Sequence, residues 1–237
     1  KVAFAAALVV AVATWFIAGG SSGPLWAAGG LALAAYLFVA TLVDLATRIR
    51  LGRGSLTDSF SRLGQLPRSA YGMTITHAAL AVVIVGITGS TAWKTEHIQV
   101  MRIGETMRVG GYDLTLQGTE DNVPGPNYTA LRATFIAKKD GEVVAVMKPE
   151  KRMYTQPPRP TTDAAIHTNM LGDLYVVIGD PDGKGGFVTR LYYNPLVPWI
   201  FMGAVFMVIG GLVSLTDRRY RVGAPLRTTR AAAASRA

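Results

Sequence analysis

Four stretches of this chain are too apolar and too long for an ordinary soluble fold: Val2–Ala18, Pro24–Val43, Tyr71–Trp93 and Pro195–Thr216. A bilayer core of about 30 Å takes about 20 consecutive apolar residues as a helix, since lipid offers the backbone no hydrogen-bond partner. The first run is the shortest of the four. Between the third and fourth lie about a hundred polar, turn-rich residues, room for one small domain. The expected architecture is a polytopic α-helical membrane protein with four transmembrane helices and an inserted all-β domain. Its parts are helices one to three over residues 1–93 with a loop at 48–68, the β domain over 94–194, the last span over 195–216 and a basic tail over 217–237.

Charge gives this arrangement a direction. The net charge is +9, yet residues 94–194 hold 12 Lys/Arg and 12 Asp/Glu, so the inserted domain is neutral. The excess sits at the membrane ends. Lys1, the loop with Arg48, Arg50, Arg53, Arg62 and Arg68, and the tail from Arg218 carry it, against Asp44, Asp58 and Asp217 alone. This is the positive-inside pattern, which puts loop and tail in the cytoplasm and the β domain outside. A nucleic-acid partner is excluded, since the basic residues do not gather on one binding face. Trp15, Trp26, Trp93 and Trp199 all fall where the outer headgroup layer is expected, the position indoles prefer. In a bacterium the domain is then periplasmic, on the inner membrane. The chain has no cysteine, which excludes thiol chemistry and cysteine-bound zinc for these residues.

The inserted domain reads as strands. Tyr112 to Leu116 and Tyr128 to Ile136 alternate, and Asp140-Gly141 is a hairpin signal before Glu142 to Met147. Leu174 to Ile178 is a continuous apolar run, and Asp180-Pro181-Asp182-Gly183 reads as a turn before Phe187 to Tyr193. A small antiparallel sandwich or partly open barrel follows, with Arg159-Pro160 as a stiff interrupting loop. No carboxylate pair, nucleophile–base pair or phosphate loop is visible in it, so no catalytic residue is assigned there. On the inner side, Ser55 to Leu66 has the pattern of a short amphipathic surface helix.

His77 stands alone inside the third span. An ionisable side chain in hydrocarbon has to be paired, buried against protein or bound to something. Two readings compete on the residues alone: an interhelical hydrogen bond and a cofactor ligand. On a helix His77 shares its face with Ala70, Met73, Thr74, Leu80, Ala81 and Ile84. The small Ala70, Thr74 and Ala81 leave room for a macrocycle or a close helix. Thr74, Thr76 or a backbone carbonyl is available to the second ring nitrogen. Counted from Gly72 at 1.5 Å per residue, His77 lies about 8 Å into the span, in the cytoplasmic half.

Several stretches, in order, resemble the C-terminal part of the cytochrome c maturation haem lyases, the CcmF/NrfE family. They are Arg68-Ser69-Ala70-Tyr71-Gly72-Met73 leading to His77, then Thr88 to Met101, and Gly125-Pro126-Asn127-Tyr128. Pro149 to Tyr154, Pro160 to Ile166, Gly172 to Val176 and Tyr193 to Ile200, closing with Gly210-Gly211-Leu212, complete the series. The resemblance covers about residues 60 to 225. It implies a multi-pass inner-membrane protein that takes haem from a periplasmic haem chaperone and helps attach it to apocytochrome c. It also implies a b-type haem held in the membrane by two histidines, suited to keeping the delivered iron reduced. By position His77 matches one axial ligand of that haem iron, while the second ligand lies outside these residues. The implied partners are the N-terminal part of the same protein or a partner chain, the haem chaperone, a thiol-reducing or apocytochrome-binding subunit, apocytochrome c and membrane lipid. On this reading the chain is a fragment of a longer protein, and alone it neither holds haem stably nor catalyses. A signal peptide at the first run is the alternative for its start.

The remaining candidates have plainer expectations. Asp44 pairs with Arg48 one helical turn on. His97 is an interfacial polar residue, His167 a solvated strand position, and the methionines are packing. Lys151, Arg152, Tyr154 and Arg159 form an exposed strand edge in preference to a surface for propionates or a partner. The rival to the whole account is a membrane-anchored scaffold whose β domain assembles a periplasmic complex without a cofactor.

Overall fold

A computed structural model describes residues 2–19 and 23–217. Five helices are formed: α1 (Val2–Gly19), α2 (Leu25–Arg48), α3 (Leu56–Gly64), α4 (Arg68–Ala92) and α5 (Val197–Leu215). Among the described residues, α2, α4 and α5 are long and apolar enough to cross a membrane. At 1.5 Å per residue they reach about 36, 38 and 29 Å, against a hydrocarbon core of about 30 Å. The first expected span is helical, but its described apolar stretch, Phe4–Ile17, is shorter than the other three. The tail beyond Asp217 lies outside the described residues.

Ten strands lie between α4 and α5: β1 (Thr95–Arg102), β2 (Thr106–Val109), β3 (Tyr112–Pro124), β4 (Tyr128–Lys139), β5 (Glu142–Met147), β6 (Glu150–Thr155), β7 (Pro158–Asp163), β8 (Ala165–Asn169), β9 (Gly172–Pro181) and β10 (Gly186–Pro195). They form a sandwich. One sheet has the order β1-β10-β9-β8, the other β2-β3-β4-β6-β7 with β5 also on β4. Inward side chains of both sheets make one core that includes Leu114, Leu116, Phe135, Leu174, Val176, Ile178 and Leu191, all at most 1% exposed. Phe135→Ala leaves a cavity at its centre. The expected loss is about 3–5 kcal/mol, read as a lowered unfolding midpoint of the domain.

The insertion is explained by one pairing. The first strand after α4 and the last before α5 lie side by side, with Thr95 opposite Tyr193. Chain entry and exit are therefore adjacent, so the domain interrupts a helix pair without separating it. Trp199 at the start of α5 donates its indole N–H to the Met170 carbonyl at 2.8 Å, and Leu196 N–H reaches Leu171 O at 2.9 Å. Both bonds fix the helix start to the β8–β9 turn.

By compactness the chain divides into two units. One holds the described residues of Lys1–Thr14, Ala32–Val82 and Met202–Ala237, the other Trp15–Leu31 and Val83–Phe201. All four tryptophans belong to the unit with the β domain, while Arg48, Arg50, Arg53, Arg62 and Arg68 belong to the other. Within the arginine-bearing unit α4 and α5 touch backbone to backbone. A Cβ on Gly72 meets the Gly210 carbonyl and lies 2.7 Å from Ser214 N. The Asp217 carboxylate accepts from Ser69 N–H at 3.0 Å, placing negative charge at the positive end of the α4 dipole. Gly72→Leu is expected to push these helices apart and to cost about 1–3 kcal/mol, checked by thermal denaturation.

Several local expectations meet the structure directly. Asp140 and Gly141 both have positive φ, 52° and 87°, as a two-residue hairpin turn demands. Ser55 caps α3 by accepting from Asp58 N–H at 3.1 Å, and Arg48 Nε lies 2.6 Å from Asp44 Oδ2. Two need correction. Arg159-Pro160 is no loop but part of β7, which among the described residues pairs with β6 alone. An edge strand needs bonds on one side alone, so it tolerates the two missing N–H groups of Pro158 and Pro160. The turn read at residues 180–183 begins two residues later, because Asp182 rather than Asp180 accepts the Lys184 and Gly186 N–H groups, at 2.7 and 2.8 Å.

Candidate functional site

His77 is exposed on the surface of α4. Its Nδ1 lies 2.8 Å from the carbonyl oxygen of Met73, one turn back. A carbonyl only accepts, so Nδ1 carries the proton of the neutral ring. The lone pair is then on Nε2, the nitrogen further from the backbone. Metal-bound histidines are oriented in just this way, by a second nitrogen that donates to a fixed acceptor. Of the three acceptors available in the sequence the backbone carbonyl is used; Thr74 Oγ1 bonds instead to Ala70 O at 2.9 Å. The flank that seemed open is filled. Ala70 and Ala81 are 4% and 3% exposed, so their smallness serves protein packing. The exposed ring leaves Nε2 without a hydrogen bond among the described residues, so one nitrogen is open to a ligand.

The other two histidines are placed differently. His97 lies opposite Leu191 on the inward side of β1. His167 is partly buried rather than a solvated strand position, with its ring edge-on to Tyr112 at 6.4 Å. The reason is register: opposite Leu174 it points between the sheets. His97 and His167 both belong to the unit with the β domain, and His77 to the other.

The group Lys151, Arg152, Tyr154 and Arg159 is not a simple exposed edge. Glu150 is 5% exposed and accepts from Arg132 Nε at 2.7 Å and from Arg152 Nε at 2.8 Å. Arg152 also pairs with Asp163 and lies over the Tyr128 ring, 4.6 Å from its centroid. Tyr128 meets Tyr154 at 5.3 Å, and Arg159 caps Tyr154 at 5.8 Å. Burial pushes the Glu150 carboxyl up, but the hydrogen bonds from Arg152 and Arg132 outweigh it and hold the group below the ordinary carboxylate range. The bond to Glu150 raises the Arg152 guanidinium in turn. This network joins β4, β6 and β7. In sequence only the acid beside two bases at 150 to 152 hints at it, since the other partners of Glu150 and Arg152 are 18 and 11 residues away.

Residues 92–195 match the family described as "CcmF C-terminal beta-sandwich". The chain is 39% identical over 227 residues to the cytochrome c-type biogenesis protein CycK of Bradyrhizobium diazoefficiens, covering 93% of this chain and 33% of that protein. It is 40% identical over 213 residues to CycK of Rhizobium meliloti, covering 90% and 31%. With the cytochrome c-type biogenesis protein CcmF of Escherichia coli it shares 35% over 192 residues, 81% of this chain and 28% of the relative. The chain therefore spans about a third of the length of these relatives. Its fold resembles a solved "Cytochrome c Heme Lyase CcmF" with a TM-score of 0.67 at 21% identity, over 89% of this chain and 34% of that one.

Proposed function

Because this chain belongs, as a C-terminal part, to the CcmF family of cytochrome c-type biogenesis proteins, we propose that it is the C-terminal membrane portion of a haem lyase. In this reading α1 is the fourth span, the arginine loop faces the cytoplasm and the β domain stands in the periplasm of a bacterial inner membrane. The partition of tryptophans and arginines between the two units supports that orientation.

His77 supplies one axial bond to a b-type haem in the membrane, with the second ligand outside this chain. The observation that carries the proposal is the exposed imidazole whose Nδ1–H is held by Met73 O, leaving Nε2 to bind. Lipid gives such a ring no partner, so exposure on an apolar helix calls for an occupant. When bound there, such a haem would supply one-electron chemistry for reducing the iron of haem awaiting attachment. The Met73 carbonyl fixes the tautomer and ring plane. The β domain is a docking module for the haem chaperone, the thiol-reducing or apocytochrome-binding subunit and apocytochrome c.

The test uses the complete protein. His77→Ala is expected to abolish the reduced b-type spectrum and to lower cytochrome c maturation in cells at least tenfold. His97→Ala and His167→Ala keep the spectrum. Haem retained at full level in His77→Ala refutes the ligand assignment.

A further inference from the structure

The outer face of the four-stranded sheet carries apolar side chains that the described residues leave open. In β9, Leu174, Val176 and Ile178 fill the core, yet the alternate Tyr175 and Val177 on the other face are also apolar. A strand apolar on both faces is a strand covered on both faces. The neighbours agree. Ile98 and Val100 on β1 lie opposite Arg190 and Val188, and Ile166 on β8 lies opposite Tyr175, so all share this face. Ile98, Val100 and Ile166 are 57%, 45% and 56% exposed. A groove of about 540 Å³ runs along it, with β9 and β10 as floor and Lys151 and Thr162 from β6 and β7 at one end.

The charges of this groove are uneven. At the end next to α4, Lys94 Nζ lies 2.9 Å from Glu96 and 4.6 Å from the Tyr192 ring centroid. At the far end Lys151 pairs with Asp180. Between them Arg190 is exposed and makes no ion pair or hydrogen bond among the described residues. Lys94, Arg190 and Lys151 thus face two acids, Glu96 and Asp180, and the Glu96 carboxylate that feels the charge of Arg190 is already bonded to Lys94, so one cation is in excess amid apolar and aromatic side chains, with Tyr175 and Tyr192 edge to face at 5.6 Å. From Val188 to Asn194 the floor is about 20 Å long at 3.3 Å per residue, the length of about six extended residues. A lipid headgroup at the helix end reaches Lys94 but not Lys151. An extended chain reaches both.

We propose that this face binds an extended acidic segment of a partner protein, with a carboxylate on Arg190 and apolar side chains packed on Val177, Val188 and the tyrosine pair. The inference rests on the docking role of the β domain given above. The probe is a fluorescein-labelled hexapeptide of alternating valine and glutamate, with matched valine–glutamine and valine–lysine peptides. Its anisotropy is followed with the complete protein in phosphatidylcholine nanodiscs. The glutamate peptide is expected to bind at least tenfold more tightly than either match and to weaken with added salt. Arg190→Glu and the milder Arg190→Gln each remove that tenfold preference, at unchanged melting temperature. Arg108→Glu, on exposed β2, leaves it in place. Equal affinity for all three peptides, or a preference that survives Arg190→Glu, overturns the proposal. So does Arg190-dependent binding of short-chain phosphatidylglycerol without peptide binding, which assigns the groove to lipid. Such a failure is separable from that of the docking role. If replacing residues 95–194 by a flexible linker still blocks maturation while the b-haem spectrum persists, only the groove assignment falls. If maturation survives the replacement, the docking role itself is wrong.

Discussion

Replacing Glu150 with alanine is expected to destabilise the β domain by about 3–5 kcal/mol. That is the cost of removing one partner from a buried ion pair and leaving the other without its counter-charge. Here two guanidinium groups lose their shared acceptor at once, since Arg132 and Arg152 both converge on this carboxylate. Asp163 still engages Arg152, so Arg132 carries most of the exposed penalty. Glu150→Gln keeps the shape and removes the charge, and its loss is smaller but of the same sign. A single melting series on the complete protein ranks wild type, Gln and Ala in that order. A fall in midpoint of less than a few degrees for Glu150→Ala contradicts the account.

The same network fixes a pH dependence. The folded carboxyl titrates below its unfolded value of about 4.3, because the arginine bonds favour the charged form despite burial. Its contribution is therefore complete above the unfolded value and disappears as pH falls through the folded one. The wild type loses this stability on acidification. Glu150→Gln does not, so the gap between the two melting temperatures narrows below about pH 4.

The second large effect concerns haem. His77→Gly is expected to remove the b-type spectrum from the complete protein, because no other described side chain replaces an imidazole at that point of α4. Maturation of c-type cytochromes falls with it, at least tenfold, if reduction of the delivered haem runs through this site. The Met73 carbonyl is a positioning group in this scheme. Its bond to Nδ1–H holds the ring plane and places the lone pair of the neutral ring on Nε2.

What the chain revealed in advance follows from the range of the forces involved. Bilayer length is a local demand, so the runs at 24–43, 71–93 and 195–216 are visible in the sequence and fold as α2, α4 and α5, and Asp140-Gly141 as a turn needs only its own two residues. The candidate His77 was legible for the same reason: the ring and the carbonyl four residues back that holds it belong to one helical turn. Other features depend on distant partners. Proline at 158 and 160 reads as loop until β7 is known to be an edge. Arg152 reads as an exposed cation until Glu150, Asp163 and Tyr128 surround it. His167 reads as solvated until its register with Leu174 turns it toward Tyr112. In the apolar run at 174–178 alternate residues cannot all face one core, so Tyr175 and Val177 lie on the other side of the sheet.

One measurement tests the ligand assignment most directly. The complete protein carrying His77→Gly is purified with and without imidazole, reduced, and its b-type absorption recorded. The assignment predicts that haem is absent without imidazole and returns when free imidazole fills the vacated axial position. A spectrum unchanged by the substitution, or one lost and not restored by imidazole, contradicts it.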